Sequence, residues 1–173
     1  MAEKSKLDTI ANIAIILVCL IAATILIRNT FFPPEPPRPP GAPEEAKVGE
    51  RFEALQKVVP AGSERALVVA LSPTCHFCTE SMPFYKKLVD QRNQAGSPVK
   101  VIAAVPSQAA QAEESKTLSS AGVQPDAVVT VNFRDIKVPG TPTILLVDNK
   151  GEVLNVWVGK LDEGREEEVL ETL

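Results

Sequence analysis

Two segments at the start of the chain read unlike the rest. From Thr9 to Ile27 every residue is apolar or small except Asn12, and no charge interrupts the run. These 19 residues would span roughly 28 Å as a helix, close to the hydrocarbon thickness of a bilayer. From Pro33 to Pro43, seven of eleven residues are proline. Proline fixes φ and lacks an amide donor, so this stretch predicts neither helix nor strand but an extended stalk of roughly 30 Å. Beyond it the pattern becomes that of a folded α/β domain. Short apolar runs at 66–71 (ALVVAL) and 99–105 suit buried strands. Helical spacing follows Cys75 as far as Arg92 (Phe77, Met82, Phe84, Tyr85, Leu88, Val89), and 108–121 is rich in good helix formers before Gly122. A short extended segment is expected at 128–131. Strands at 143–147 and 153–158 flank the turn sequence Asp148-Asn149-Lys150-Gly151, which predicts a hairpin. Asp162 is placed to cap a last acidic helix, 163–172. Strand, helix, strand, helix, hairpin and helix together predict a central mixed β-sheet flanked by helices.

The organisation expected is a head at 1–8, a transmembrane anchor at 9–27, a proline-rich linker at 28–46 and a domain at 47–173. A cleaved signal peptide would have a shorter apolar core and a small-residue cleavage site. Here the run ends in Ile25-Leu26-Ile27-Arg28, so an uncleaved anchor is the better reading. Cys19 follows Val18, not a small residue, and reads as a membrane-buried apolar side chain rather than a lipid attachment site. Lys4 and Lys6 precede the run and Arg28 and Arg38 follow it, so the positive charges nearly balance. A short basic head before a C-terminal domain favours a single pass through a bacterial-type cytoplasmic membrane, with the domain in the periplasm or outside the cell.

Charge narrows the function. The net charge is −4 with one histidine and three cysteines; from Glu44 onward there are 14 basic and 19 acidic residues. That argues against a nucleic-acid partner, which requires a basic face. Three cysteines are too few for a disulfide-stapled scaffold.

The chemistry gathers at Cys75-His76-Phe77-Cys78, a C-x-x-C placed where a strand ends and a helix begins. Residues three apart share a helix face, so the two sulfurs can meet. Cys75 at the helix start would have its thiolate favoured by the dipole and by unpaired N–H groups, making it the nucleophile; Cys78, one turn in, would be the resolving thiol. A structural zinc site needs four ligands, and outside the anchor only Cys75, Cys78 and His76 offer sulfur or imidazole. A passive disulfide closing so short a loop gains little stability. Redox use is the better reading.

Three further features resemble the thioredoxin superfamily. Pro83 lies five residues after the second cysteine, like the family's kink proline. Gly140-Thr141-Pro142-Thr143 precedes a strand, like its cis-proline loop, and the hairpin with Gly159 and the acidic helix is similar to its C-terminal half. The 63 residues between Cys78 and Pro142 are similar to the longer, membrane-anchored TlpA-like or redoxin-type branch. The resemblance implies a thioredoxin-like fold and a redox-active disulfide Cys75–Cys78. It also implies a cis Pro142 whose neighbour Thr141 pairs its backbone with an extended substrate, protein thiol or disulfide partners, a redox partner that resets the cysteines, and no cofactor. Departures are also visible. Thr74 stands where the family usually has tryptophan, and His76-Phe77 is an unusual intervening pair expected to modulate the cysteines. Val69 occupies the position of a buried aspartate, leaving Glu80 as a substitute proton acceptor or an ordinary surface glutamate. The alternative function is a copper(I) metallochaperone using the two thiolates; its usual distant histidine has no counterpart, since His76 is the only one. A peroxidase would need an arginine partner that no motif supplies.

Overall fold

The structure, a computed structural model, describes residues 15–18, 23–24 and 44–173. The chain divides into a unit ending at Gly41 and a second beginning at Ala42. In the first, residues 15–18 and 23–24 are helical; the rest of the expected anchor, and the proline segment through residue 43, lie outside the described residues. Among the described residues no helix is long and apolar enough to cross a membrane.

The second unit is built on strand β1 (Arg65–Ala70), buried at every position after the first. Such a run, apolar on both faces, can only sit in the middle of a sheet with both faces covered. It pairs in parallel with β2 (Lys100–Val105) and antiparallel with β4 (Thr143–Asp148). Beyond them, β3 (Ala127–Thr130) adds parallel to β2, and β5 (Val153–Val158) adds antiparallel to β4. The five strands run β3-β2-β1-β4-β5, a mixed sheet flanked by helices.

Alternation along the strands divides the interior into two layers. Leu67, Val69, Val101, Ala103, Ile144 and Leu146 face one side, where Tyr85, Leu88, Leu118 and Val169 from three helices close over them. Ala66, Val68, Ile102, Ala104, Leu145 and Val147 face the other, covered by Leu55, Ile136 and Val138. The small residues on this second face admit a thin cover: one short helix and the loop before β4.

That short helix, α1 (Glu53–Val58), has no counterpart in the sequence pattern, because only Leu55 of its six residues is buried and one anchor makes no periodicity. The continuous helix expected from Cys75 to Arg92 is two helices, α2 (His76–Glu80) and α3 (Met82–Ala95), meeting at Ser81. Pro83 in the first turn of α3 has no N–H to give to Thr79, so the hydrogen-bond ladder breaks there. The other elements fall where expected within one or two residues: α4 is Gln108–Ser120, and α5 is Glu163–Leu170, capped by Asp162 Oδ1 accepting from the Arg165 N–H at 3.0 Å. The β4–β5 turn closes with Asp148 Oδ1 accepting from the N–H groups of Lys150 and Glu152, each at 2.8 Å. Gly151 has φ +76°, and a Cβ there would collide with the Phe52 carbonyl and the Gln56 amide; its missing side chain lets α1 dock on the turn.

Several buried positions are polar, and one of them carries an unpartnered carboxylate. Glu114 on α4 is 1% exposed, and neither carboxylate oxygen has a hydrogen-bond partner. Burial, assisted by the neighbouring charge of Glu113, raises its pKa above 4.5.

Two predictions follow from this packing. A chain starting at Ala42 contains both core layers and should unfold in one cooperative urea transition; a broad, non-cooperative profile would place essential contacts upstream. Glu114 should also leave a pH signature. Its folded pKa lies above its unfolded value, so between the two the native state binds the extra proton and stability falls as pH rises. Denaturation midpoints measured from pH 4 to pH 8 should therefore show Glu114→Gln gaining on the parent as pH increases. A difference between the two that does not change with pH would contradict the assignment.

Candidate active site

Strand β1 delivers the chain to Leu71, and the turn through Ser72 and Pro73 closes when the Cys75 N–H donates to the Ser72 carbonyl at 2.9 Å. Cys75 is the N-cap of α2, with extended backbone. Its Sγ accepts from the Cys78 N–H at 3.1 Å, the role an N-cap hydroxyl ordinarily fills. One helical turn separates the two cysteines, their Cα atoms are 5.2 Å apart, and they form a disulfide. They differ in access. Cys75 is half-buried, whereas Cys78 is 1% exposed and packed in the core layer with Met82 and Tyr85.

The loop before β4 faces the same sulfur. The Thr141–Pro142 peptide is cis, and the Thr141 carbonyl oxygen lies 3.2 Å from Cys75 Sγ. In the reduced protein the Cys75 S–H can donate to that oxygen. Two opposed influences thus act on Cys75: the Cys78 N–H favours the thiolate, and the Thr141 carbonyl favours the thiol. The loop is fixed by the Thr143 hydroxyl donating to the Gly140 carbonyl at 2.7 Å and by the Gly159 N–H donating to the Pro142 carbonyl at 2.8 Å. Among the described residues the Thr141 N–H donates to no backbone carbonyl.

Cys75, Cys78, Thr141 and Pro142 are therefore brought together from two distant parts of the chain. His76 and Phe77 lie on the outer side of α2. Phe77 is 54% exposed, and the His76 ring packs tilted against it at 5.9 Å between centroids. Glu80 is a surface residue: one carboxylate oxygen is 3.0 Å from His76 Nε2 and the other 2.7 Å from Lys160 Nζ. The hydrogen bond from Lys160 holds the Glu80 carboxyl below its usual range. Val69, on β1 in the same core layer as Cys78, is buried and apolar. Lys160 went unseen in the sequence, since a lysine after a strand carries no motif and its partner lies 80 residues away. Among the described residues no group of three or more His, Cys, Asp and Glu is placed to hold a metal ion, so the copper-carrier reading gains no ligand beyond the two sulfurs.

The model of a thioredoxin-like domain matches residues 52–173. No curated protein matches. Among solved structures the chain is similar to StoA from Bacillus subtilis, at 16% identity and a TM-score of 0.52 over 65% of this chain and 84% of that one. A thiol-disulfide isomerase from Corynebacterium glutamicum aligns at 19% identity and a TM-score of 0.52, covering 77% and 96% of the two chains. A secreted Mycobacterium tuberculosis disulfide oxidoreductase homologous to E. coli DsbE aligns at 13% identity and a TM-score of 0.50, covering 64% and 83%. At such identities these likenesses concern the fold.

The unequal burial of the two sulfurs predicts unequal reactivity. Iodoacetamide added to the reduced full chain below neutral pH should label Cys75 faster than Cys78, by about tenfold or more, as read by peptide mass spectrometry. Equal labelling, or Cys78 first, would show that the two sulfurs are equally open to attack.

Proposed function

The chain belongs to the thioredoxin-like domain family, and from that premise we propose that it is a membrane-tethered, extracytoplasmic thiol–disulfide oxidoreductase exchanging disulfides with protein substrates. The observation that carries the reading is the Cys75–Cys78 disulfide at a helix start, with one sulfur reachable from solvent and the other buried.

In the reducing direction the Cys75 thiolate attacks one sulfur of a substrate disulfide. A Cys75–substrate bond forms, the substrate S–S bond breaks, and the departing substrate sulfur takes a proton. Cys78 then loses its proton and attacks Cys75 Sγ, forming the internal disulfide and expelling the second substrate thiol. Two electrons pass from the dithiol to the substrate. The oxidising direction is the same sequence reversed. Burial keeps Cys78 out of reach of a macromolecule, so only Cys75 engages the substrate, while one helical turn of separation keeps Cys78 within bonding reach for the second step.

Recognition falls to the loop beside the sulfur. The Thr141 backbone, next to Pro142, offers an N–H to an extended segment, which gives main-chain pairing with little side-chain selectivity. The exposed Phe77 offers a further apolar surface next to Cys78, and His76 packs beside it. A separate redox partner must restore the cysteines after each turnover.

The membrane tether and the location outside the cytoplasm rest on the apolar run at 9–27 and the proline-rich stretch after it. A single-pass anchor in a bacterial-type cytoplasmic membrane, with the domain held off the surface on a stiff stalk, matches a catalyst of protein disulfide exchange in an oxidising compartment.

The mechanism is tested by its asymmetry. In Cys78→Ser, attack by Cys75 proceeds and resolution does not, so mixed disulfides with substrate should accumulate on non-reducing gels and disappear with dithiothreitol. In Cys75→Ser such adducts should be absent. Equal trapping by both variants would overturn the assigned roles, and no trapping by either would overturn the oxidoreductase reading.

A further inference from the structure

A chain of contacts runs around the disulfide and returns to its start. Cys75 Sγ lies 3.2 Å from the Thr141 carbonyl. Pro142, the next residue, accepts from the Gly159 N–H at 2.8 Å. Gly159 takes φ +82° and turns the chain out of β5, which brings Lys160 back across the site to Glu80 at 2.7 Å. Glu80 holds His76 at 3.0 Å, and His76 is bonded to Cys75. The turn is anchored from below by Leu161, buried in the same core layer as Cys78. From these contacts we infer that Lys160, acting through Glu80, sets the balance between the dithiol and disulfide forms of Cys75–Cys78. The inference rests on the oxidoreductase reading above.

The argument is electrostatic. Reduction can leave a negative charge on Cys75, at the N-terminus of a five-residue helix whose last residue is the acid Glu80. An anion there repels a thiolate five residues away and is also unfavourably placed on the helix dipole. Lys160 offsets that charge from outside the helix, with its Nζ 2.7 Å from the Glu80 carboxylate. Anything that favours the thiolate stabilises the reduced form and makes the disulfide the stronger oxidant. Lys160 is a positioning residue, since it touches neither sulfur.

Other charges near the turn come from α5 and its cap. Arg165 donates from Nη1 to the Val158 carbonyl at 3.3 Å, Asp162 caps α5, Glu168 accepts from the Trp157 indole at 3.1 Å, and Glu166 lies one turn along. None of these bonds to Glu80, so all stay in place when Lys160 or Glu80 is changed. The Lys160 and Glu80 side chains are 47% and 37% exposed, which leaves the fold tolerant of substitution and keeps the expected effect modest.

The test is equilibration of the full chain, purified in detergent, against defined ratios of reduced and oxidised glutathione. Two glutathione thiols supply two electrons and two protons, the Cys75–Cys78 bond opens, and the glutathione disulfide forms. Lys160→Met leaves Glu80 without its lysine partner and should shift the equilibrium constant toward the disulfide. Glu80→Gln removes the anion, leaves Lys160, and should shift it toward the dithiol. Each shift should be about twofold to fivefold, the range an exposed ion pair supports, and should shrink in about 1 M salt, where the Debye length is about 3 Å. Lys160→Arg should keep the parent value, and the double variant should lie between the two single ones. Shifts of the same sign in Lys160→Met and Glu80→Gln, or no shift in either, overturn the inference while leaving the oxidoreductase reading intact. A parent disulfide that glutathione and dithiothreitol cannot open overturns both.

Discussion

The register of one strand pair places the chemistry. In the antiparallel pairing of β1 with β4, Ala70 stands opposite Thr143. Both strands are anchored by buried apolar residues along almost their whole length, so the register cannot slip by one residue without turning each core side chain to the wrong face. Ala70 is five residues before Cys75, and Thr143 directly follows Pro142. Fixing that pair therefore brings the end of one segment, starting a helix, against the beginning of another, entering a strand. The 3.2 Å approach of the Thr141 carbonyl to Cys75 Sγ is a consequence of packing far from the sulfurs. The two interior layers stabilise the pairing from both sides, and the Gly159–Pro142 hydrogen bond carries it one strand further, to β5.

What could be read from the chain beforehand was whatever has a local cause. Buried strands are apolar runs, the hairpin has its Asp148-to-Gly151 turn, and α5 has its Asp162 cap; each signal lies within a few residues of the element it specifies. The cysteine pair was legible for the same reason, since its spacing and its place between strand and helix are both local. Pro142 was found through a resemblance, as nothing in Gly140-Thr141-Pro142-Thr143 by itself names Cys75 as its neighbour. The failures are of two kinds. Helix α1 is too short to show a period, and the break at Ser81 is hidden because the apolar spacing continues across it, although Pro83 marks where the ladder must fail. Lys160 and the burial of Glu114 are tertiary facts. Each depends on which surface another element presents, and a lysine or a glutamate carries no mark of its future partner.

The placement of charge around the disulfide follows from what β1 leaves out. With Val69 rather than an acid in the core layer that holds Cys78, the inner wall of the site is apolar on the side of Cys78. A charged group there would be costly to desolvate without a partner, as the unpartnered Glu114 on α4 illustrates by its raised pKa. The polar and charged side chains beside the disulfide are therefore at the rim, where His76, Glu80 and Lys160 are exposed. Rim charges act weakly and are screened, but they can be altered with little cost to the core. The apolar wall instead provides exclusion: it keeps Cys78 from solvent and from macromolecular partners, so that the second sulfur meets only the first. On the proposed mechanism, burial decides the order of reaction and surface charge adjusts the poise of the couple. Because the two properties reside in different layers of the molecule, the proposed mechanism lets a substitution at the rim shift the balance between dithiol and disulfide a little without disturbing which sulfur begins the exchange.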